Sequence, residues 1–390
     1  MNELSPSKSL WYRRLKRITS SGNYLPEIDG LRFIAIGSVI AFHIWYAATQ
    51  AFASYDALAA SQNWLLHVRH GDRGVQLFFA ISGFILGLPF ANQYLGKGKT
   101  VQMSRYFYRR LTRLEPPYLV ALVGFYLLAY VLRMPDTLDA GFVSSFWLRV
   151  IYAYGLVKNH FHSLNGVTWS LEVEVQFYLL APFIARVFLL GPVLRRTFLL
   201  LLIGGLQIVP MVSSHSGITI LEFAQYFLVG FFIADLQVTC PVESNQTWLP
   251  RWADMVGLLG LLGLAIIPQN SMMMWLLPWA ILLLICGALR GQLLRKFLSI
   301  PILTIIGGMC YSIYLIHYPL MSFLAGKLAL NDLGQWRASL TLAAITLPIL
   351  SVASILFYLL IERPCMNPAW PSLLSNAIRG RFSKNERHHS

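Results

Sequence analysis

Long apolar segments recur along nearly the whole chain, and they constrain its fold more than any other feature of the sequence. A run of about 20 mostly apolar residues is long enough to cross the hydrocarbon core of a bilayer as a helix. Of the 390 residues, 56% are hydrophobic and only 12% are charged, whereas soluble domains carry about 25% charged residues. The sequence therefore predicts an all-α polytopic membrane protein without a sizeable soluble domain.

Ten segments are long enough to cross a bilayer, some only just, so we expect about ten transmembrane helices. The predicted spans are 28–48, 74–92, 116–133, 169–189, 197–213, 219–237, 253–268, 272–289, 302–324 and 338–361. The further apolar run 143–157 is short and is interrupted by Arg149 and Gly155. We expect a short peripheral or re-entrant helix there, on the outer side of the membrane.

The basic residues predict how the chain is oriented. The formal net charge is +14, but the lysines and arginines lie mainly in short loops between apolar runs. That pattern is typical of membrane orientation rather than of nucleic-acid binding. Ten crossings place most of these residues on the cytoplasmic side, whereas an eleventh crossing at 143–157 would put the later basic loops outside. We therefore predict a multi-pass protein of the inner membrane with both termini in the cytoplasm.

Three parts of the chain differ in composition. We predict a basic cytoplasmic segment 1–23, a membrane domain 24–364 and a basic cytoplasmic tail 365–390. No short apolar run with a small-residue cleavage site follows the basic N-terminus, so no cleavable signal peptide is expected. The four cysteines are scattered and form no CxxC pair, so we expect neither a disulfide framework nor a zinc site.

The first predicted span carries two ionisable residues, Arg32 and His43. They lie eleven positions apart, about three helical turns, so both side chains share one helix face. Ionisable residues within a span are costly and usually face a cavity or a partner. The pair therefore indicates a polar path along this helix. The alternative is that Arg32 extends to the headgroups and His43 is a hydrogen-bonded core histidine.

An arginine cluster precedes the third span. Arg109 and Arg113 would lie one turn apart on a helix, with Arg105 and Arg110 beside them. Guanidinium groups bind phosphates through paired hydrogen bonds. The cluster is compatible with a binding site for a phosphorylated ligand, although positive-inside anchoring is the simpler explanation of such a cluster taken alone.

The fourth span opens with two acids, Glu172 and Glu174. In a helix, Ser170, Glu174 and Tyr178 share one face while Glu172 points elsewhere. The predicted topology puts Glu174 and His43 in the outer halves of their spans, at similar depth. We therefore expect the Glu174 carboxylate to hold the His43 ring, as a general base requires.

Several further polar side chains within spans are candidates for lining a cavity, although core packing explains each of them as well. These residues are Ser82, Trp169, Ser170, Tyr178, Tyr311 and His317. His160 and His162 have a spacing that suits a metal, but no third ligand is evident, so no metal site is predicted.

Together these segments resemble the acyltransferase-3 family of integral-membrane acyltransferases, which modify sugars and related cell-surface molecules. The matching pieces are IDGLRFIAIGSVIAFH, GVQLFFAISGFI, YRRLTRLEPPY, WSLEVEVQFY, YSIYLIHYPL and the closing ERP. They occur in family order and cover most of the chain. Each piece alone is weak, but the ordered set is specific.

The resemblance implies roles for particular residues. The family's arginine and histidine pair corresponds to Arg32 and His43, with the histidine as catalytic base. Its arginine motif, associated with acyl-CoA, corresponds to Arg110 and Arg113, with Arg109 adjacent. Its WSL-E motif corresponds to Trp169, Ser170 and Glu174. This sequence has Glu172 where the family usually has a small residue and Val175 where a second acid often stands, so the role of Glu172 stays open. Some members carry an extracytoplasmic hydrolase-like domain, and we expect any such activity here to need another protein.

These observations lead to one functional hypothesis. The membrane domain is expected to be an O-acyltransferase that moves an acyl group, with acetyl expected, from acyl-CoA to a hydroxyl of a cell-surface sugar or polysaccharide. Acyl-CoA is the donor substrate, and no tightly bound cofactor is expected. His43 acts either as the base in direct transfer or as the carrier of an acyl-histidine intermediate.

Two other functions fit part of the pattern. Intramembrane Arg, Glu and His also suit a proton-coupled transporter of a sugar, a lipid-linked intermediate or an acyl group, without chemistry. A membrane sensor or scaffold is the third reading, and several buried ionisable groups argue against it. The expected partners are acyl-CoA, the sugar acceptor and the bilayer, not nucleic acid.

Overall fold

The structure is a computed structural model, and every regular element in its described part is a helix. It describes residues 14–18, 24–50, 73–96, 98–133, 141–158, 165–209, 219–240, 249–267, 273–328, 330 and 333–372. The all-α expectation is confirmed for this part of the chain. Most of segment 1–23 and the tail beyond residue 372 lie outside the described residues.

Fifteen helices are described. They are α1 (Pro26–Gln50), α2 (Gly74–Tyr94), α3 (Met103–Val131), α4 (Gly141–Val150), α5 (Tyr154–Lys158), α6 (Trp169–Ile184), α7 (Pro192–Leu206), α8 (Ile220–Thr239), α9 (Leu249–Ile266), α10 (Leu277–Arg290), α11 (Leu293–Leu298), α12 (Pro301–Gly308), α13 (Cys310–Lys327), α14 (Gln335–Phe357) and α15 (Arg363–Cys365). Short 3-10 turns flank α6 and precede α10, and a π-helical turn, Tyr358–Glu362, joins α14 to α15.

Six helical stretches in the described part are long and apolar enough to cross a membrane. They are Pro26–Thr49, Gly74–Tyr94, Met103–Val131, Ile220–Thr239, Met273–Arg290 and Gln335–Cys365. The helices α12 and α13 form a seventh candidate if they are taken as one broken span, with a bend of 66° between them. The multi-pass character is thus supported, while the count of ten crossings stays a prediction.

Three local features differ from the predicted spans. Helix α3 begins at Met103 and runs unbroken through Pro116 and Pro117, so the arginine cluster lies on the same helix as the third span. The predicted span 302–324 is broken at Met309. The run 143–157 forms two short helices, α4 and α5, separated by Tyr152, whose φ is 55°.

Glycine allows the two central helices α2 and α8 to touch backbone to backbone. A Cβ atom added at Gly83 would lie 2.1 Å from the carbonyl oxygen of Phe227. One added at Gly230 would lie 2.2 Å from the carbonyl oxygen of Ala80. Membrane helices associate through such small-residue contacts because lipid supplies no hydrophobic drive between them. Gly83 and Gly230 therefore serve the close packing of α2 against α8.

The replacement Gly83→Ala tests this contact. The added methyl group forces α2 and α8 apart, and overpacking of this kind costs about 1–3 kcal/mol. We expect a lower melting temperature for the purified protein in detergent. Gly124→Ala is the matched control, because a Cβ atom at Gly124 meets nothing within 4 Å. Equal melting temperatures for the two variants would contradict the packing account.

Candidate active site

A polar cavity of about 110 Å³ lies among α1, α2, α3, α6 and α13. This is several times the space that one water molecule needs. Its polar lining consists of four guanidinium groups, two carboxylates and five hydroxyl groups. They belong to Arg17, Arg32, Arg110, Arg113, Glu174, Glu362, Ser82, Ser170, Tyr178, Tyr311 and Tyr314. Most of these residues come from predicted spans, so the bundle encloses a site that can bind a charged ligand.

One end of the cavity is built around the buried carboxylate of Asp29. Its Oδ1 atom accepts hydrogen bonds from Arg32 Nη1 at 2.6 Å and from Arg17 Nη1 at 3.1 Å. Asp29 is 1% exposed, whereas the side chains of Arg32 and Arg17 are 12% and 10% exposed. Arg32 therefore lines the cavity and pairs with a buried acid. Sequence reasoning missed Asp29, although it precedes Arg32 by one helical turn.

A larger vestibule of about 470 Å³ adjoins the cavity. Arg17, Arg110 and Arg113 line both spaces, while Lys99, Arg105 and Arg109 line the vestibule alone. The predicted arginine cluster is thus divided between the two spaces. Arg105 and Arg109 face only the vestibule, whereas Arg110 and Arg113 also reach the cavity. Arg110 also lies over the Tyr178 ring, with its guanidinium carbon 5.5 Å from the ring centroid. The basic surface continues from the vestibule into the cavity.

The other end of the cavity carries Glu174. Its Oε1 atom accepts a hydrogen bond of 2.6 Å from the hydroxyl of Ser82, and the Tyr178 hydroxyl is also hydrogen-bonded to this carboxylate. Ser170, Glu174 and Tyr178 all line the cavity, so the predicted shared face of α6 is confirmed. The helical arrangement places two hydroxyl groups and one carboxylate around the same space.

The second acid of this segment, Glu172, has a different role. Its Oε2 atom accepts a hydrogen bond of 2.7 Å from the backbone N–H of Gly155, and the residue is 1% exposed. Glu172 thereby fixes the start of α5 against α6 on the side away from the cavity.

His43 lies against α13 and not against Glu174. Its Nδ1 atom is 2.9 Å from the carbonyl oxygen of Val39 and 3.3 Å from His317 Nε2. The expected hydrogen bond between His43 and Glu174 is not formed in the described part of the chain, because His43 packs against His317 while Glu174 lines the cavity. Similar depth in the membrane was the only basis for that pairing, and depth does not specify which faces of two helices meet.

The wall between His43 and the cavity is formed by Tyr314 and His317. The Tyr314 hydroxyl donates to the carbonyl oxygen of Val167 at 2.7 Å and lies 2.7 Å from Ser170 Oγ. The ring centroids of Tyr314 and His317 are 5.5 Å apart. Tyr314 lines the cavity, whereas His43 and His317 lie behind it.

The remaining predicted lining residues divide into two groups. Tyr311 lines the cavity and donates to the carbonyl oxygen of Leu114 at 2.9 Å. Trp169 does not line it and packs against Phe79 and Phe223. Ser82 lines the cavity as expected.

Sequence reasoning also missed the carboxylate of Glu362, which belongs to the closing ERP motif. The π-helical turn carries Glu362 into the bundle, where its Oε2 atom accepts hydrogen bonds from the backbone N–H and the hydroxyl of Ser312 at 3.0 and 2.5 Å. No sequence pattern signals this extra residue in the turn.

His160 and His162 lie outside the described residues. Within the described ranges, no group of three or more His, Cys, Asp or Glu side chains is close enough to hold a metal ion.

Comparison with known proteins decides the family. The family model described as an acyltransferase domain, Acyl_transf_3, matches residues 25–363. The chain belongs to the acyltransferase-3 family. The O-acetyltransferase OatA of Staphylococcus aureus is 26% identical over 341 residues, which covers 80% of this chain and 53% of that protein. The peptidoglycan O-acetyltransferase OatA of Listeria monocytogenes is 29% identical over 374 residues, covering 85% of this chain and 55% of that protein.

The chain therefore spans about half the length of these acyltransferase-3 relatives. No solved structure matches it. The family that the sequence motifs resemble is confirmed by the match over residues 25–363.

Proposed function

We propose that this acyltransferase-3 protein moves an acetyl group from acetyl-CoA to a hydroxyl of a cell-wall polysaccharide. The relatives named O-acetyltransferases support the reaction, and the Listeria relative, named a peptidoglycan O-acetyltransferase, supports the class of acceptor. The family match over residues 25–363 supports the transferase activity itself.

The continuous basic lining from the vestibule to the cavity is the observation that carries this proposal. Acyl-CoA has its phosphates at one end and its thioester at the other. The vestibule is lined by Arg105, Arg109, Arg110 and Arg113 together with Lys99. These arginines suit the phosphates, because guanidinium groups bind phosphate bidentately. Arg110 and Arg113 extend this charge inward, toward Glu174.

The proposed orientation places the vestibule at the cytoplasmic face of the inner membrane, where acyl-CoA is available. Ten crossings with both termini inside give this orientation, and the positive-inside distribution of basic residues supports it. Helix α3 enters the bilayer from the vestibule, so its arginines lie at the cytoplasmic surface and its apolar remainder lies within the membrane.

In the direct form of the proposed reaction, the oxygen of the acceptor hydroxyl attacks the thioester carbon and the CoA thiolate leaves. His43 takes the proton of that hydroxyl. In the two-step form, His43 itself attacks, carries the acetyl group and passes it to the hydroxyl. Glu174 holds the hydroxyls of Ser82 and Tyr178 in the cavity wall. In the direct form a proton must reach His43, and in the two-step form the acetyl group must. Because Tyr314 stands between His43 and the cavity, both forms require Tyr314 to move.

The replacement His43→Ala tests the assignment of the base. Loss of a general base lowers turnover about 10²- to 10⁴-fold, and loss of a nucleophile lowers it at least as much. We expect purified variant protein in nanodiscs to release almost no CoA from acetyl-CoA in the presence of N-acetylglucosamine oligomers.

The same assay separates an enzyme from a transporter, because a transporter does not consume acetyl-CoA. Protein level and melting temperature of His43→Ala should match those of the unchanged protein. Undiminished CoA release by a correctly folded variant would exclude His43 from the reaction.

The arginines allow a second test. Removing one charged hydrogen bond to a phosphate costs about 1.5–3 kcal/mol, so Arg110→Ala and Arg113→Ala should each raise KM for acetyl-CoA about 10- to 100-fold. The value of kcat should change little if these contacts are the same in the ground and transition states.

Arg251→Ala is the matched control for charge. Arg251 is exposed on α9 and lines neither the cavity nor the vestibule. An equal rise in KM for Arg251→Ala would show that overall charge, and not the site, determines acyl-CoA binding.

A further inference from the structure

Two histidines from distant parts of the chain meet inside the bundle. His43 on α1 and His317 on α13 have ring centroids 5.0 Å apart and an interplanar angle of 65°. His317 Nε2 lies 3.3 Å from His43 Nδ1. His317 is 0% exposed, whereas His43 is half-buried. The contact therefore joins a fully enclosed imidazole to one that retains an accessible surface.

The surroundings of His317 determine which of its nitrogens carries the proton. Its Nδ1 atom lies 2.8 Å from the carbonyl oxygen of Tyr314 and 3.2 Å from that of Ile313. Carbonyl oxygens only accept hydrogen bonds, so Nδ1 must be the donor. In the neutral imidazole, Nε2 is then an unprotonated acceptor. The lone pair of Nε2 faces His43.

The same reasoning applies to His43. Its Nδ1 atom faces the carbonyl oxygen of Val39 at 2.9 Å and the Nε2 lone pair of His317. Both partners accept, so His43 Nδ1 carries the proton and shares it between the nearer carbonyl oxygen of Val39 and His317 Nε2. The Nε2 atom of neutral His43 is consequently unprotonated, and it has no hydrogen-bond partner among the described residues. A general base needs such a free lone pair.

We propose that His317 is a positioning residue that orients His43 through the hydrogen bond from His43 Nδ1–H to His317 Nε2. This inference rests on the proposed function, in which His43 is the base or acyl carrier. When His43 Nε2 takes a proton, the ring becomes a cation whose Nδ1–H is a stronger donor. The lone pair of His317 stabilises that cation, in the position that a carboxylate occupies in other histidine-based sites.

The proposed role of His317 depends on its hydrogen bond to His43 and not only on packing against the His43 ring. Tyr318 also contacts His43, with ring centroids 5.2 Å apart, but it presents a ring and no acceptor to Nδ1. The two neighbours on α13 therefore provide a matched pair. A change at His317 that removes the acceptor should affect the reaction, and a change at Tyr318 that keeps the ring should not.

The protonation pattern can be measured without any turnover. Side-chain ¹⁵N spectra of histidine-labelled protein in lipid bilayers distinguish protonated from bare ring nitrogens, with the signals assigned by their loss in His43→Ala and His317→Gln. We expect Nδ1 protonated and Nε2 bare in both neutral rings. A protonated Nε2 on neutral His317, or a bare Nδ1 on His43, would overturn the inference.

Kinetics test the consequence. His317→Leu removes the acceptor and should lower kcat about 10- to 100-fold, the effect of losing one hydrogen bond to a charged group, with KM for acetyl-CoA unchanged. His317→Gln keeps an acceptor oxygen and should retain most of the kcat. Tyr318→Phe should retain all of it.

The outcomes separate the two proposals. Equal losses for the Leu and Gln variants at His317, or a loss for Tyr318→Phe as large as for His317→Leu, would overturn the hydrogen-bond role of His317. Loss of activity in His43→Ala together with an unchanged kcat in His317→Leu would overturn this inference alone. Full activity of His43→Ala would overturn the proposed function, and the ¹⁵N spectra would still report the pairing of the rings.

Discussion

One oxygen of a buried carboxylate, Asp29 Oδ1, holds the cationic end of the site together. Asp29 receives hydrogen bonds from Arg32 of its own helix and from Arg17, which precedes that helix. A guanidinium group inside an apolar bundle is strongly unfavourable unless a partner compensates its charge. One carboxylate compensates two cations incompletely, so this end of the cavity keeps a positive excess that suits an anionic ligand.

Close backbone contact keeps that carboxylate in place. A Cβ atom at Gly307 would lie 1.7 Å from the carbonyl oxygen of Asp29, and one at Gly30 would lie 2.1 Å from that of Leu298. Helix α12 thus packs directly on the start of α1, and the break at Met309 lets α13 turn toward the site. Helix α13 therefore carries both a residue of the cavity wall, Tyr314, and one member of the histidine pair, His317.

Much of this arrangement could be predicted from the sequence. The apolar runs predicted helices, and the 3.6-residue period predicted that Ser170, Glu174 and Tyr178 share a face. The spacing of Arg32 and His43 predicted two polar contacts along one helix. These features depend on local periodicity, which a single sequence records directly.

The rest depends on how helices are rotated and bent relative to one another, which periodicity does not record. The contact of His43 with His317 instead of Glu174 is one example. Both of these residues are expected at the same depth in the membrane as His43, so depth alone does not choose between them. The π-helical turn that carries Glu362 inward and the bend before α13 are others. Asp29 lies in the first turn of α1, where an acidic residue is common because it interacts favourably with the helix dipole. Its position alone therefore does not mark it as a site residue.

In the proposed binding mode, acyl-CoA enters from the vestibule and directs its thioester toward Glu174. A cryo-electron microscopy structure of the protein in nanodiscs with bound CoA tests this claim most directly. The account predicts pyrophosphate density against Arg110 and Arg113 and the thiol end in the cavity beside Ser82 and Glu174. Well-resolved CoA density at any other surface of the bundle, with the vestibule empty, would contradict it.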